Sequence, residues 1–259
     1  MIESFRSEGF GPLVPEWSPV ESLRFGCSIA RLNVSCNSSI SDIEIGRVCS
    51  ETDHDVVILR YPTSRISLAS QIAQHAELFS FHADTLVYFS LNVTSKTESI
   101  TLPTESRSRT AVPADWSTLV GIAESAFNGY NSHYAANSKF NQVDIRDGYV
   151  EWVASCLGAQ SYETLVTLTD SDSDLISGFA VIKFGHGVAE IVLNAVGQDS
   201  QGSGVYGDLL KHIVQVSSGR GNEELVVSTT VSNFRAIRAW IRAGFTLDFS
   251  LNTIHVMKK

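Results

Sequence analysis

"VLNAVGQDSQGSGVYGDLLKHIV", residues 192–214, begins as a strand, passes through a polar turn and ends as a helix. The turn holds Gln198, Asp199, Ser200, Gln201, Gly202, Ser203 and Gly204, with no bulky apolar group among them. A strand that enters a helix through a glycine-containing turn leaves the first N–H groups of that helix without partners. Those donors and the positive end of the helix dipole form an anion site. Gly202 and Gly204 would let the backbone approach a phosphate closely. The loop holds no lysine followed by Ser or Thr, which excludes a Walker A loop, and its spacing is not a Rossmann G-x-G-x-x-G. A plain tight turn whose glycines relieve strain fits the same residues.

The surrounding chain reads as mixed α/β. After the loop come the strand "ELVVSTT", the helix "SNFRAIRAWIRAGF" ended by Gly244, and the closing segments "TLDFSL" and "TIHVMK". Before it, "RTAV" reads as a strand, "PADWSTLVGIAESAF" as a helix opened by Pro113 and Asp115, and "GYVEWVASCL" as a second helix. "TLVTLTD", "ISGFAVIKF" and "AEIVLNAV" follow as successive strands. Further upstream, "DHDVVILRYP" is a strand closed by Pro62, "SRISLASQIAQHAELFSF" has helical spacing with Ser64 as N-cap, and "DTLVYFSLNV" alternates as a strand. The Ser/Thr-rich stretch at 95–106 suits an exposed connection. The expected division is therefore a small α/β domain over 1–94, a linker over 95–106, and a larger domain over 107–259 with a partly antiparallel sheet.

Composition narrows the partners. The 259 residues are 43% hydrophobic and 18% charged, an ordinary globular balance. Net charge is −9, from 19 basic and 28 acidic side chains, which argues against a nucleic-acid or anionic-membrane surface. An anionic ligand would have to be held by local amides and a few arginines. Cys27, Cys36, Cys49 and Cys156 lie far apart with no C-x-x-C, so no zinc site is expected. "MIESFRSEGFGPLVPEW" has no positively charged n-region or apolar h-region, and no apolar run approaches the ~18 residues of a spanning helix. A cytoplasmic protein with reduced cysteines is the expectation.

Two motifs in order and spacing carry a resemblance. Gln201, Gly202, Ser203, Gly204 and Val205 match the Gln/Arg-x-x-Gly-x-Gly/Ala loop of the GNAT acyltransferase superfamily, and "VSTTVSNFRAIRAWIRAGF" resembles its strand, Asn-x-x-Ala and YxxxGF-like segment. The match fails at Tyr206, where the family has Gly or Ala. "SLRFGCSIARLNV", "SAFNGYNSHYAANSKF" with "YVEWVASCL", "AEIVLNAV" and "TIHVMKK" are similar, in the right order, to segments of two-domain sugar-nucleotide N-acyltransferases such as TDP-fucosamine acetyltransferase. The resemblance implies a GNAT fold preceded by a smaller α/β domain. It implies acetyl-CoA or a longer acyl-CoA as co-substrate, no metal, and a nucleotide-linked (dTDP or UDP) 6-deoxy amino sugar as acceptor, and it leaves a homodimer open.

It also implies roles. The loop from Gln201 to Tyr206 would cradle the pyrophosphate of coenzyme A, and Asn233 would contact its pantetheine arm. Main-chain N–H groups near Leu193, Ala195 and Val196 would supply the oxyanion donor, where the family's strands splay. Glu190, on the same strand, could relay a proton from the amine, although a lone strand carboxylate is more often ion-paired. His133, Tyr134 and Asn137 in "NSHYAAN" suit sugar and amine recognition, with His133 or Tyr134 as proton donors; a solvated turn is the duller reading. His255 reads as a hydrogen-bonded structural histidine. Trp240 stands where many GNAT enzymes have a tyrosine that protonates the thiolate. An indole cannot do so, which leaves that role unassigned. Other acceptors (a peptide, polyamine or aminoglycoside) and a non-catalytic acyl-CoA-binding module are the competing readings.

Overall fold

A computed structural model describes residues 2–6, 13–94, 107–169 and 174–259. The expected linker at 95–106 lies outside the described residues. In chain order the helices are α1 (Ile2–Arg6), α2 (Pro19–Phe25), α3 (Asp42–Glu51), α4 (Leu68–Ala73), α5 (Trp116–Phe127), α6 (Gln142–Cys156), α7 (Val205–Gly219) and α8 (Phe234–Ala243). The strands are β1 (Glu16–Trp17), β2 (Ile29–Asn33), β3 (Val56–Pro62), β4 (Leu78–Asn92), β5 (Ser108–Thr110), β6 (Tyr162–Leu168), β7 (Ile176–Phe184), β8 (Val188–Val196), β9 (Glu224–Thr230) and β10 (Thr246–Lys258). The fold is the expected α/β one with a mixed, partly antiparallel sheet.

The described residues form two compact units that interleave along the chain. One comprises residues 1–87, 131–145 and 249–259, and the other 88–130 and 146–248. The expected division into consecutive domains thus meets a different grouping, in which residues 131–145 and the chain's end join the N-terminal residues.

In the first unit the strand order is β1-β2-β3-β10-β4. β2 pairs with β3 in parallel, and β10 pairs with β3 antiparallel, Thr253 standing opposite Arg60. "VVILRYP" is buried at every position, as a strand flanked on both sides must be. Its core combines Leu32, Val57, Leu59, Ile254 and Val256 of the strands with Ile45 and Cys49 of α3 and Leu68 and Ile72 of α4. The helix expected over residues 64–81 is shorter than its periodicity suggests. α4 ends at Ala73, and Leu78–Phe81 join β4, because "LFSF" alternates and continues the register of "DTLVYFSLNV".

In the second unit the order is β4-β9-β8-β7-β6-β5. β5 to β8 form an antiparallel meander, and β8 turns to pair in parallel with β9. α5 buries Leu119, Ala123 and Phe127, spaced four apart, against Phe179, Val181, Leu193 and Ala195 of β7 and β8. Truncating one such buried Leu to Ala costs about 2–5 kcal/mol.

Candidate functional site

The β8–α7 junction is built to leave donors free. Parallel pairing of β8 with β9 runs from Val188↔Glu224 to Ile191↔Val227, while β8 continues to Val196 and β9 to Thr230. The two strands therefore part beyond Ile191. A bulge lies at the same level: Val181 of β7 stands opposite Leu193 and Ile182 opposite Ile191, so Val192 is the extra residue. Leu193 and Ala195 remain buried, so their side chains serve the core while the main chain of 193–196 runs along the opening.

Past Val196 the chain makes a short 3-10 turn, Gln198–Ser200, then reaches α7 through Gly202 (φ +90°) and Gly204 (φ +86°, the N-cap). Both glycines occupy the left-handed region that other residues avoid. A Cβ at either would meet nothing within 4 Å, so no protein atom fills the space before them. No side chain caps α7. Among the described residues the N–H groups of Gly202, Gly204, Val205 and Tyr206 have no acceptor, whereas those of Gly207 and Asp208 bond to the Gly204 carbonyl at 2.9 and 3.2 Å. Four open donors at the end of a 15-residue helix form an anion cradle.

Side chains brace the loop. Ser203 Oγ donates to the Ser200 carbonyl at 2.7 Å, and Gln201 Nε2 donates to the Val196 carbonyl at 3.4 Å. Gln201 Oε1 accepts from Arg235 of α8. Asn233 caps α8, its Oδ1 accepting from Ala236 N at 3.3 Å and its Nδ2 donating to Thr229 Oγ1 at 2.9 Å. Trp240, buried, donates from Nε1 to Tyr206 Oη at 2.7 Å. Burial pushes the Tyr206 phenol above its ordinary range. Glu190 stands opposite Lys183 in the β7–β8 ladder. Within the second unit the structure thus gathers Leu193 to Val196, Gln201 to Tyr206, Asn233 and Trp240 around one strand opening. Arg107 pairs with Asp208 in the first turn of α7, a contact the sequence did not signal because 101 residues separate the two.

His133, Tyr134 and Asn137 belong to the first unit. "HYAA" forms a single 3-10 turn, with His133 4% and Asn137 1% exposed. The duller expectation of a solvated turn is therefore corrected: His133 and Asn137 are buried, and both bond to His255. Asn137 Oδ1 accepts from Lys139 N at 3.1 Å, so its Nδ2 is the donor to His255 Nδ1 at 3.1 Å. His255 then carries its proton on Nε2 and donates to His133 Nδ1 at 3.1 Å. Burial holds both rings neutral, His133 well below its ordinary value and His255 down to about 4. His255 is structural, as expected.

Tyr134 Oη reaches the Glu21 carboxylate and accepts from Arg31 at 2.8 Å, while Arg31 forms a two-pronged ion pair with Glu21 at 2.6 and 2.7 Å. Phe25 stacks on Phe140 at 4.1 Å. Glu21, Arg31 and Asp84, whose carboxyl burial pushes up, were not foreseen. Nothing in their local sequence marks them.

Residues 128–245 match the model of the acetyltransferase (GNAT) family. No curated protein matches the chain. Among solved structures it is similar to the GCN5-related N-acetyltransferase from Sphaerobacter thermophilus (19% identity, 78% of this chain and 59% of that one, TM-score 0.56). It therefore spans less than two thirds of that protein. It is also similar to a functionally unknown conserved protein from Staphylococcus epidermidis (10% identity, 98% and 95% covered, TM-score 0.62). A third is the tandem GNAT protein from the clavulanic acid biosynthesis pathway (12% identity, 90% and 76% covered, TM-score 0.56). At such identities the likeness speaks of fold alone. Among the described residues no cluster of three or more His, Cys, Asp or Glu is placed to hold a metal, and no helix is long and apolar enough to cross a membrane. The four cysteines are free thiols.

Proposed function

We propose that the protein transfers an acyl group from acyl-CoA to the amine of a nucleotide-linked 6-deoxy amino sugar, by direct attack on the thioester in a ternary complex. The observation that carries the coenzyme half is the cradle: four partnerless N–H groups, two positive-φ glycines and open space before them. Gly202 to Tyr206 would hold the pyrophosphate, with Arg235 at the rim, and the thioester supplies the activated acyl group. Main-chain donors of Leu193 to Val196, along the strand opening, would meet the charge that develops on the carbonyl oxygen. Glu190 would accept the amine's proton, directly or through water. Holding two reactants in line offsets roughly 7–11 kcal/mol of barrier, so alignment is the main contribution asked of this chain. The acceptor class is supported by the ordered resemblance of segments outside the cradle. His133, Tyr134 and Asn137 fit it better by shaping a rigid wall than by moving protons, since His133 Nδ1 and both ring nitrogens of His255 are engaged within the cluster.

Gly204→Glu tests the coenzyme half. The substitution forces a side chain into the left-handed region and adds a like charge at the cradle. Calorimetry with coenzyme A should show at least a tenfold loss of affinity, about 1.4 kcal/mol or more. Unchanged affinity in a folded variant would remove the basis of the proposal.

A further inference from the structure

The first unit holds a recess of about 620 Å³ beside the N-terminal ends of the parallel pair β2 and β3. Trp17 of β1 and Ser22 of α2 line it, together with Cys27, Ser28, His54 and Asp55 from the segments that lead into the two strands. Trp17 is 61% exposed, yet its ring is fixed. Its Nε1 donates to Ser22 Oγ at 3.0 Å, and that hydroxyl also accepts from Ile29 N at 2.9 Å. The indole N–H is therefore spent on the protein while much of the ring stays open to water.

The polar lining is braced in the same way. Ser28 N donates to Asp55 Oδ2 at 2.7 Å, and the Ser28 carbonyl accepts from Val56 N at 3.0 Å. Ser28 Oγ bonds to His54 Nδ1 at 2.7 Å. Among the described residues, Asp55 Oδ1 and His54 Nε2 are left without a partner. The Ser28 hydroxyl can donate or accept, so His54 Nε2 can present either a lone pair or a proton. A fixed apolar face thus stands beside one free carboxylate oxygen and one adaptable ring nitrogen. That set suits a molecule with a C–H face and with hydroxyls at its edge, since each hydroxyl both donates and accepts. An indole and a carboxylate would also attract an organic cation, but a positive charge already acts at the recess. Burial and Asp55 push the Cys27 thiol up, and Lys139 pulls it down.

We propose that this recess is a binding site for a neutral pyranose ring, stacked by its C–H face on Trp17 with hydroxyls on Asp55 Oδ1 and His54 Nε2. The site requires neither an amine nor a nucleotide on its ligand, and it does not rest on the coenzyme reading of the cradle.

The test uses the whole chain with no acyl-CoA or nucleotide sugar present. Calorimetry with the methyl glycosides of glucose, galactose, mannose and N-acetylglucosamine should give at least one Kd of about 1 mM or below. Trp17→Ala should weaken that binding at least about tenfold, and Trp17→Phe by less, because part of the aromatic face remains. Asp55→Asn should weaken it about tenfold, as loss of a hydrogen bond to a charged group warrants. In wild type the same glycoside should slow alkylation of Cys27 by iodoacetamide and leave that of the exposed Cys36 unchanged. Binding by none of the four glycosides would overturn the proposal, as would unchanged affinity in Trp17→Ala or an unprotected Cys27. Tighter, Trp17-dependent binding of uridine or of tetramethylammonium would also overturn it, by making the ligand a planar base or a cation.

Discussion

His133 and His255 can be linked only as neutral rings, and that makes their chemistry a stability term. Both are ordinary histidines with pKa near 6.5 in an unfolded chain, and burial holds both lower when folded, His255 at about 4. The sign follows from proton counts. Between pH 6.5 and 4 the unfolded chain binds protons that the folded one refuses, so stability falls as pH falls through this window. From pH 7 to 5 the His255 ring should cost about 2 kcal/mol, and His133 adds to the loss in the same direction. The groups around them pull both ways: Arg60 and Arg31 disfavour imidazolium, Glu21 favours it, and Asp84, raised by burial, binds its own proton more readily when folded and offsets part of the loss. Urea unfolding at the two pH values should show wild type less stable at pH 5, and His255→Gln should remove about 2 kcal/mol of that loss. A pH-independent stability would mean the rings are not held neutral. The sequence revealed His255 as structural but not its partners, because Asn137 and His133 are 118 and 122 residues away and nothing near them marks the pairing.

Elements were legible where local chemistry decides and obscure where pairing decides. Gly244 ends α8 and the glycine turn leads into α7, both by residue type, whereas the cap that Asn233 supplies to α8 emerges only in the structure. Helix α4 was overread, since "AELFSF" fits either period and only the β4 register settles it. The opening between β8 and β9 has no sequence signature of its own: it exists because pairing stops after Ile191↔Val227 beside the Val192 bulge. Asn233 shows how one residue serves both levels. Its Oδ1 caps α8 and its Nδ2 holds Thr229 at the end of β9. Asn233→Ala should cost about 1 kcal/mol and lower Tm by roughly 2–4 °C. Asn233→Asp keeps the accepting oxygen and should regain most of that stability. If the amide also contacts pantetheine, both variants should bind coenzyme A less tightly in calorimetry. An Asp variant with full affinity would confine Asn233 to capping.

At the scale of the whole molecule, the unit boundaries were the least legible feature. Residues 131–145 and 249–259 join the N-terminal residues because β10 pairs along β3 and because His255 meets Asn137, and neither fact is local. The net charge of −9 poses a second problem for the proposed function, whose acyl-CoA and nucleotide sugar would both be anions. The chain answers it locally, with open N–H groups on α7 and with Arg235, Arg238 and Arg242 on α8, a helix that carries no acidic residue. If the acceptor carries a nucleotide, contacts far from the amine position the reacting nitrogen, and cutting them away lowers kcat as well as binding. Free thiol release from acetyl-CoA should therefore be at least about 100-fold faster, as kcat/KM, with a dTDP- or UDP-linked amino sugar than with the same sugar lacking its nucleotide, a difference of about 2.7 kcal/mol. Part of the preference should reside in kcat, because uniform binding alone would change only KM. Equal specificity constants for the two would leave the acyltransferase intact and move its acceptor to a smaller amine.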